Sequence, residues 1–208
     1  MDIGIIQKIV KHYPSTLRYL RGRALLIALN GEELPWKHMS PTHPGTGTPQ
    51  SVHAGGGGGI SSFESGIAGN SYESAAAYSK DGKLLFTKDG TAHGVNFTEA
   101  EFKQMNDATL IHNHPDWASN DFSPDDIVMA VTGNLREIRA VHTNGTYVFT
   151  RPADGWGWET GSNVKNYFYR QQEKWLSNND RKDTDAMLKF IWDGYASEIG
   201  ATHILIEK

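Results

Sequence analysis

The stretch Leu110–Ile127, LIHNHPDWASNDFSPDDI, decides the reading of this chain. It opens as a short apolar run and delivers two histidines, His112 and His114, with one residue between them. In an extended strand, residues i and i+2 project from the same face, so the two imidazoles stand side by side. The step Ser123-Pro124-Asp125-Asp126 follows. Serine is a favoured helix N-cap and proline suits the first helical position, so a helix opens here. Asp126 then falls in the first turn, where the helix dipole favours an ionised carboxylate. Two imidazoles, one carboxylate and an open fourth position make the composition of a catalytic zinc site. A helix starting one residue off would make Asp125 the third ligand instead. Ser123 sits at the mouth of the same helix, within reach of a ligand on the metal.

Working outward, the new helix carries Ile127, Val128, Ala130 and Val131 inward and ends near Gly133. Upstream, Ala108–His112 reads as a buried strand, and Thr98-Glu99-Ala100-Glu101 as a capping box opening a helix to about Met105. Tyr72–Ser79 and Lys83–Thr87 flank a Lys80-Asp81-Gly82 turn, a hairpin signal. Downstream, Glu137–His142 and Thr146–Arg151 form a second hairpin across Asn144-Gly145. Residues 163–198 are helical, with Tyr167, Trp175, Leu188, Ile191 and Trp192 as packing positions, and Ile204–Ile206 adds a short strand. Trp156 and Trp158 read as a hydrophobic corner, and Asp116 and Asp121 as solvated loop residues. Trp117 reads first as turn packing, with a lid or a substrate contact as the sharper alternative. The order of elements predicts an α/β fold, a mixed β-sheet with flanking helices.

The N-terminal region differs. Residues 3–29 hold two short helical patterns separated by Pro14. Residues 40–62 are Pro, Gly, Ser and Thr without periodicity, a linker containing five consecutive glycines. No lysine accompanies those glycines, so they do not read as a phosphate cradle. The division expected is therefore 1–62 as appendage and linker, 63–160 as core, and 161–208 as a helical segment packed on that core.

Composition narrows the function. The chain has 208 residues and a net charge of −4, with no basic stripe, which argues against a nucleic-acid partner. It has no cysteine, which removes disulfides, thiolate nucleophiles and Cys-based zinc sites. No secretory signal and no bilayer-spanning run is legible, so a cytoplasmic protein without a membrane partner is expected.

The His112-Asn113-His114-Pro115 and Ser123-Pro124-Asp125-Asp126 motifs resemble those of the JAMM (MPN-plus) metallo-isopeptidases, including RadC-like and phage-associated bacterial members. The resemblance covers roughly residues 70–155. One residue more than usual, within Pro115–Phe122, separates the second histidine from the serine, and a surface loop absorbs such an insertion cheaply. The resemblance implies an MPN/JAB-like, cytidine-deaminase-like sandwich. It implies that His112, His114 and Asp126 bind one Zn²⁺, that Glu73 is the general base, and that Ser123 stabilises the oxyanion. Glu64 is the fallback base, although Ser65-Gly66 after it reads as loop; Ser119 is a poorer match than Ser123. The implied activity is hydrolysis of a peptide or isopeptide bond in a protein or peptide substrate, such as a ubiquitin-like tail. The alternative is a non-catalytic MPN-like scaffold module of a phage morphogenesis or toxin-associated protein. A His-Asn-His nuclease is disfavoured, because that label names scattered residues and the net charge opposes it.

Overall fold

The chain divides into two compact units, Met1–Thr48 and Pro49–Lys208. The computed structural model describes residues 59–157, 159–179 and 183–208, all in the second unit. The helices expected within 3–29, most of the linker, and Trp158 lie outside the described residues.

The described elements run α1 (Ile60–Ile67), β1 (Ser74–Tyr78), β2 (Leu84–Asp89), α2 (Glu99–Gln104), β3 (Thr109–Asn113), α3 (Pro124–Thr132), β4 (Glu137–His142), β5 (Gly145–Thr150), α4 (Gly161–Leu176), α5 (Thr184–Ile199) and β6 (Thr202–Glu207). The strands form one six-stranded sheet in the order β2-β1-β3-β4-β5-β6. Only β3 and β4 pair in parallel; the other neighbours are antiparallel. A mixed sheet flanked by helices is thus the architecture.

Register fixes which side chains share a face. Ala75, His112 and Ala140 lie abreast across β1, β3 and β4, and so do Ala76, Ile111 and Arg139 one step away. On the first face Leu110, Ile138 and Phe149 join Phe122, Ile127 and Trp192 in the larger core cluster. On the second, Ile111 and Val141 pack with Phe63 and Ile67 of α1. β1 and β3 are therefore buried on both faces, which their apolar runs of Ala and Leu-Ile allow.

Three local expectations change. Ile60–Ser62 and Ser65-Gly66, read as linker and loop, belong to α1. Phe63 and Ile67 bury one helical face against the sheet, and that packing outweighs the helix cost of Gly66. The second hairpin turns through Thr143-Asn144, because Gly145 pairs with His142 inside the ladder. Gly145 is there because β6 comes close: a Cβ would stand 2.6 Å from the Ile206 carbonyl oxygen. The C-terminal helical stretch is two helices, α4 and α5, each opened by a side-chain cap, Thr160 and Asp183. β6 then extends the sheet beyond β5 over Thr202–Glu207, longer than the short strand expected.

Candidate metal centre

The centre is built on the β3–α3–β4 unit. A helical crossover between parallel strands leaves the carboxyl end of the strand facing the N-terminus of the helix, the usual place for a site in α/β folds. β3 delivers His112 and His114 at that end. Ser123 caps α3 as expected: its hydroxyl accepts from the Asp126 amide at 3.3 Å, and Asp126 Oδ2 accepts from the Ser123 amide at 2.7 Å. The cap holds Asp126 against the two histidines.

His112, His114 and Asp126 each offer one donor atom within 4.8 Å of the others, a group that could hold a metal ion. The two Nε2 atoms are 3.0 Å apart. His112 Nε2 is 3.3 Å from Asp126 Oδ1, and His114 Nε2 is 3.5 Å from Asp126 Oδ2. Donors about 2.0–2.1 Å from a tetrahedral zinc ion stand about 3.3 Å from one another, so these separations fit. His114 Nδ1 donates to the Ser119 carbonyl at 2.8 Å, which turns Nε2 toward the centre. His112 Nδ1 is buried and has no hydrogen-bond partner among the described residues.

Electrostatics follow from burial and crowding. Burial alone would raise the Asp126 pKa, but His112 and His114 outweigh it and hold the carboxyl well below its ordinary range. Burial would depress His114, but Asp126, the Ser119 carbonyl and Glu73 outweigh it and raise its pKa. Asp126 and His114 each favour the charged form of the other, and a cation that takes up His114 Nε2 displaces its proton.

Glu73 immediately precedes β1, its amide donating to the Thr91 carbonyl at 2.9 Å and its carbonyl accepting from Gly90 at 2.8 Å. Burial raises its pKa, His112 lowers it, Asp126 raises it, and His114 and His93 lower it. The carboxyl therefore feels all three donors of the cluster. Glu64 does not belong here. It lies on α1, across the sheet from His112, and accepts from Arg139 Nε at 2.6 Å. Asp125 is exposed and pairs with Lys165 at 3.1 Å, so the helix begins where the Ser123 cap requires and Asp126 is the inward carboxylate. Ser119 contributes its backbone carbonyl to His114, while its hydroxyl points to the Asp121 carbonyl at 3.5 Å. The Ser123 hydroxyl donates to Asp126 Oδ2 at 2.7 Å, so it must rotate to meet any other acceptor.

The loop between His114 and Ser123 is tied down. Asn120 donates through its amide and side chain to Asp185 at 3.1 and 3.0 Å. The Phe122 carbonyl accepts from Trp192 Nε1 at 2.8 Å. Asp121, expected to be solvated, is fully buried because His203 and the Phe122 amide bond its carboxylate. Trp117, read first as packing, is 61% exposed at the tip of this loop and meets His93 edge-on at 5.2 Å.

Asn113 and His203 carry no sequence signal of a role. Asn113 reads only as the variable residue of a His-x-His pair, and His203 acquires its partners from loops distant in sequence. The chain was compared with known proteins on three grounds, and no family model, curated protein or solved structure matches it.

Proposed function

We propose that this chain is a zinc-dependent hydrolase of peptide or isopeptide bonds, of the JAMM (MPN-plus) type. The observation that carries the reading is the convergence of His112, His114 and Asp126 at zinc-like separations, with the Glu73 carboxyl electrostatically coupled to all three. A bound zinc ion would supply a Lewis acid and an acidified water at neutral pH. The rest falls to the chain. His112 and His114 would hold the ion through Nε2, and Asp126 through its carboxylate. Glu73 takes the proton of the attacking water and passes it to the leaving amine; burial strengthens it as a base by raising its pKa. Ser123 turns its hydroxyl from Asp126 toward the developing oxyanion, at the positive end of α3. His93, whose charge reaches Glu73, and Trp117, whose ring meets His93, are the proposed substrate contacts. The substrate class is a protein or peptide with an accessible amide, a ubiquitin-like tail among them.

The test uses zinc analysis and cleavage together. Protein purified without chelator should carry about one zinc, and His114→Ala should lose it. A quenched-fluorescence set of linear peptides and Lys-Nε-linked isopeptides should be cleaved by the wild-type protein and not by Glu73→Gln. Zinc below about 0.2 equivalents would instead favour the scaffold reading.

A further inference from the structure

We infer that Asn113 is a positioning residue that holds Glu73 at the metal centre, an inference that rests on the reading of Glu73 as the base. Asn113 is fully buried, between the two histidines in sequence and on the opposite face of β3. The β1–β3 ladder ends at the pair Ala75 and His112. Beyond that rung the Asn113 carboxamide takes the place of backbone. Its Oδ1 accepts from the Ser74 amide at 2.7 Å, and its Nδ2 donates to the Tyr72 carbonyl at 2.9 Å. A longer contact, 3.5 Å, reaches the Asn70 carbonyl.

The consequence is local and specific. One side chain bonds the backbone immediately before and immediately after Glu73. From the other edge, Thr91 and Gly90 bond the amide and carbonyl of Glu73 itself. The backbone of the base is thus fixed on both sides, and only its side-chain torsions remain free. The strand period does the rest: His112 and His114 leave β3 toward the centre, and Asn113 leaves it toward the segment bearing Glu73. Three consecutive residues therefore set both the two imidazole donors and the position of the base, which is how a site keeps its reacting groups within a fraction of an ångström. A merely structural Asn113 would close the ladder and affect stability alone.

The experiment uses Zn²⁺ as probe and protein carrying ¹³C-carboxyl glutamate. In the wild type, zinc should move the Glu73 carboxyl resonance, and the Ser74 amide should exchange slowly with solvent. Asn113→Ala should bind zinc with a Kd within about threefold of wild type, because no donor is touched. Its Ser74 amide should exchange at least about tenfold faster, and zinc should no longer move the Glu73 resonance. Asn113→Asp keeps the shape and the acceptor for Ser74 but loses the donor to Tyr72, so it tests the same hold if the alanine variant does not fold. There the Ser74 amide should stay protected while the Glu73 response weakens. A wild-type Glu73 response in either variant, or unchanged Ser74 exchange in Asn113→Ala, overturns the inference alone. Failure of the wild-type protein to take up zinc defeats the hydrolase reading, and the inference falls with it.

Discussion

His203 Nε2 lies 3.1 Å from Asp121 Oδ1, with both side chains sealed from solvent. Through this pair the last strand grips the loop that joins the second histidine of the centre to the Ser123 cap. His203 Nδ1 lies 2.7 Å from Asp193 Oδ1, so both ring nitrogens face carboxylates and the imidazolium form suits both. Burial by itself would drive the His203 pKa down, but Asp121 and Asp193 outweigh it and hold it above its ordinary value.

That sign dictates a stability test. A histidine with a raised folded pKa contributes stability that is complete below about pH 6.5, its unfolded value, and is lost as pH rises through the folded value. His203→Ala leaves Asp121 buried without its cation, a change that costs about 3 kcal/mol at pH 6. Urea unfolding of both proteins at pH 6 and pH 9 should show the gap narrowing at the higher pH. An equal gap at both would mean that His203 is held neutral.

Metal uptake should run the other way with pH. His114 has a raised pKa beside Asp126, and it must lose its proton before Nε2 can bind a cation. Zinc affinity should therefore fall on acidification, beginning above the ordinary histidine range, by about tenfold per pH unit for each proton displaced. Competition titrations with a zinc indicator between pH 5.5 and 8 measure the slope. A flat profile would rule out His114 as a donor.

Glu73 and its fallback as base, Glu64, should separate cleanly. Glu64 is buried at an Arg139 ion pair beneath α1. Burial would lower the Arg139 pKa, but Glu64 and Glu137 outweigh it and raise it. Glu64→Gln should lower stability by about 1–3 kcal/mol and leave zinc affinity and cleavage intact. Glu73→Gln should do the reverse, keeping the fold and lowering cleavage by about 10²–10⁴-fold. Thermal unfolding and the isopeptide assay on the same two proteins decide between them.

Residues that act through local geometry were legible in the sequence. The His112/His114 period, the Ser123 cap with Pro124, and the Asp126 turn each follow from spacing within one element, and the structure places all three where that spacing requires. The capping box at Thr98 and Glu101 is legible for the same reason. What stayed hidden depends on elements far apart in the chain. Asp121 meets His203 only because β6 returns to the far edge of the sheet beside β5, and Glu64 leaves contention only because α1 lies on the other face. Tertiary packing also overrides composition in α1, where Gly66 and its neighbours read as loop and fold as helix. Asn113 is intermediate: the extended His-x-His sets it opposite the two imidazoles although the strand reads as ending at His112, and its partners, Tyr72 and Ser74, lie about forty residues away.

Ser123 should show two separable roles. As the cap of α3 it accepts from the Asp126 amide, and Ser123→Ala should cost about 1 kcal/mol of stability. Ser123→Thr keeps a capping hydroxyl and should restore most of that loss. If the same hydroxyl also serves the oxyanion, Ser123→Ala should lower kcat by about 10²–10³-fold with KM little changed, since the contact exists only in the transition state. A cap that does nothing else predicts a different result: the alanine variant would lose stability and keep kcat. The hydroxyl now donates to Asp126 Oδ2, so its removal also takes one of that oxygen's two hydrogen bonds from Ser123. Zinc affinity must therefore be measured on the same variant, and a kcat loss counts as oxyanion stabilisation only at full zinc occupancy. Cleavage at saturating zinc, set beside chemical unfolding of the wild-type, alanine and threonine proteins, separates the cap from the catalyst.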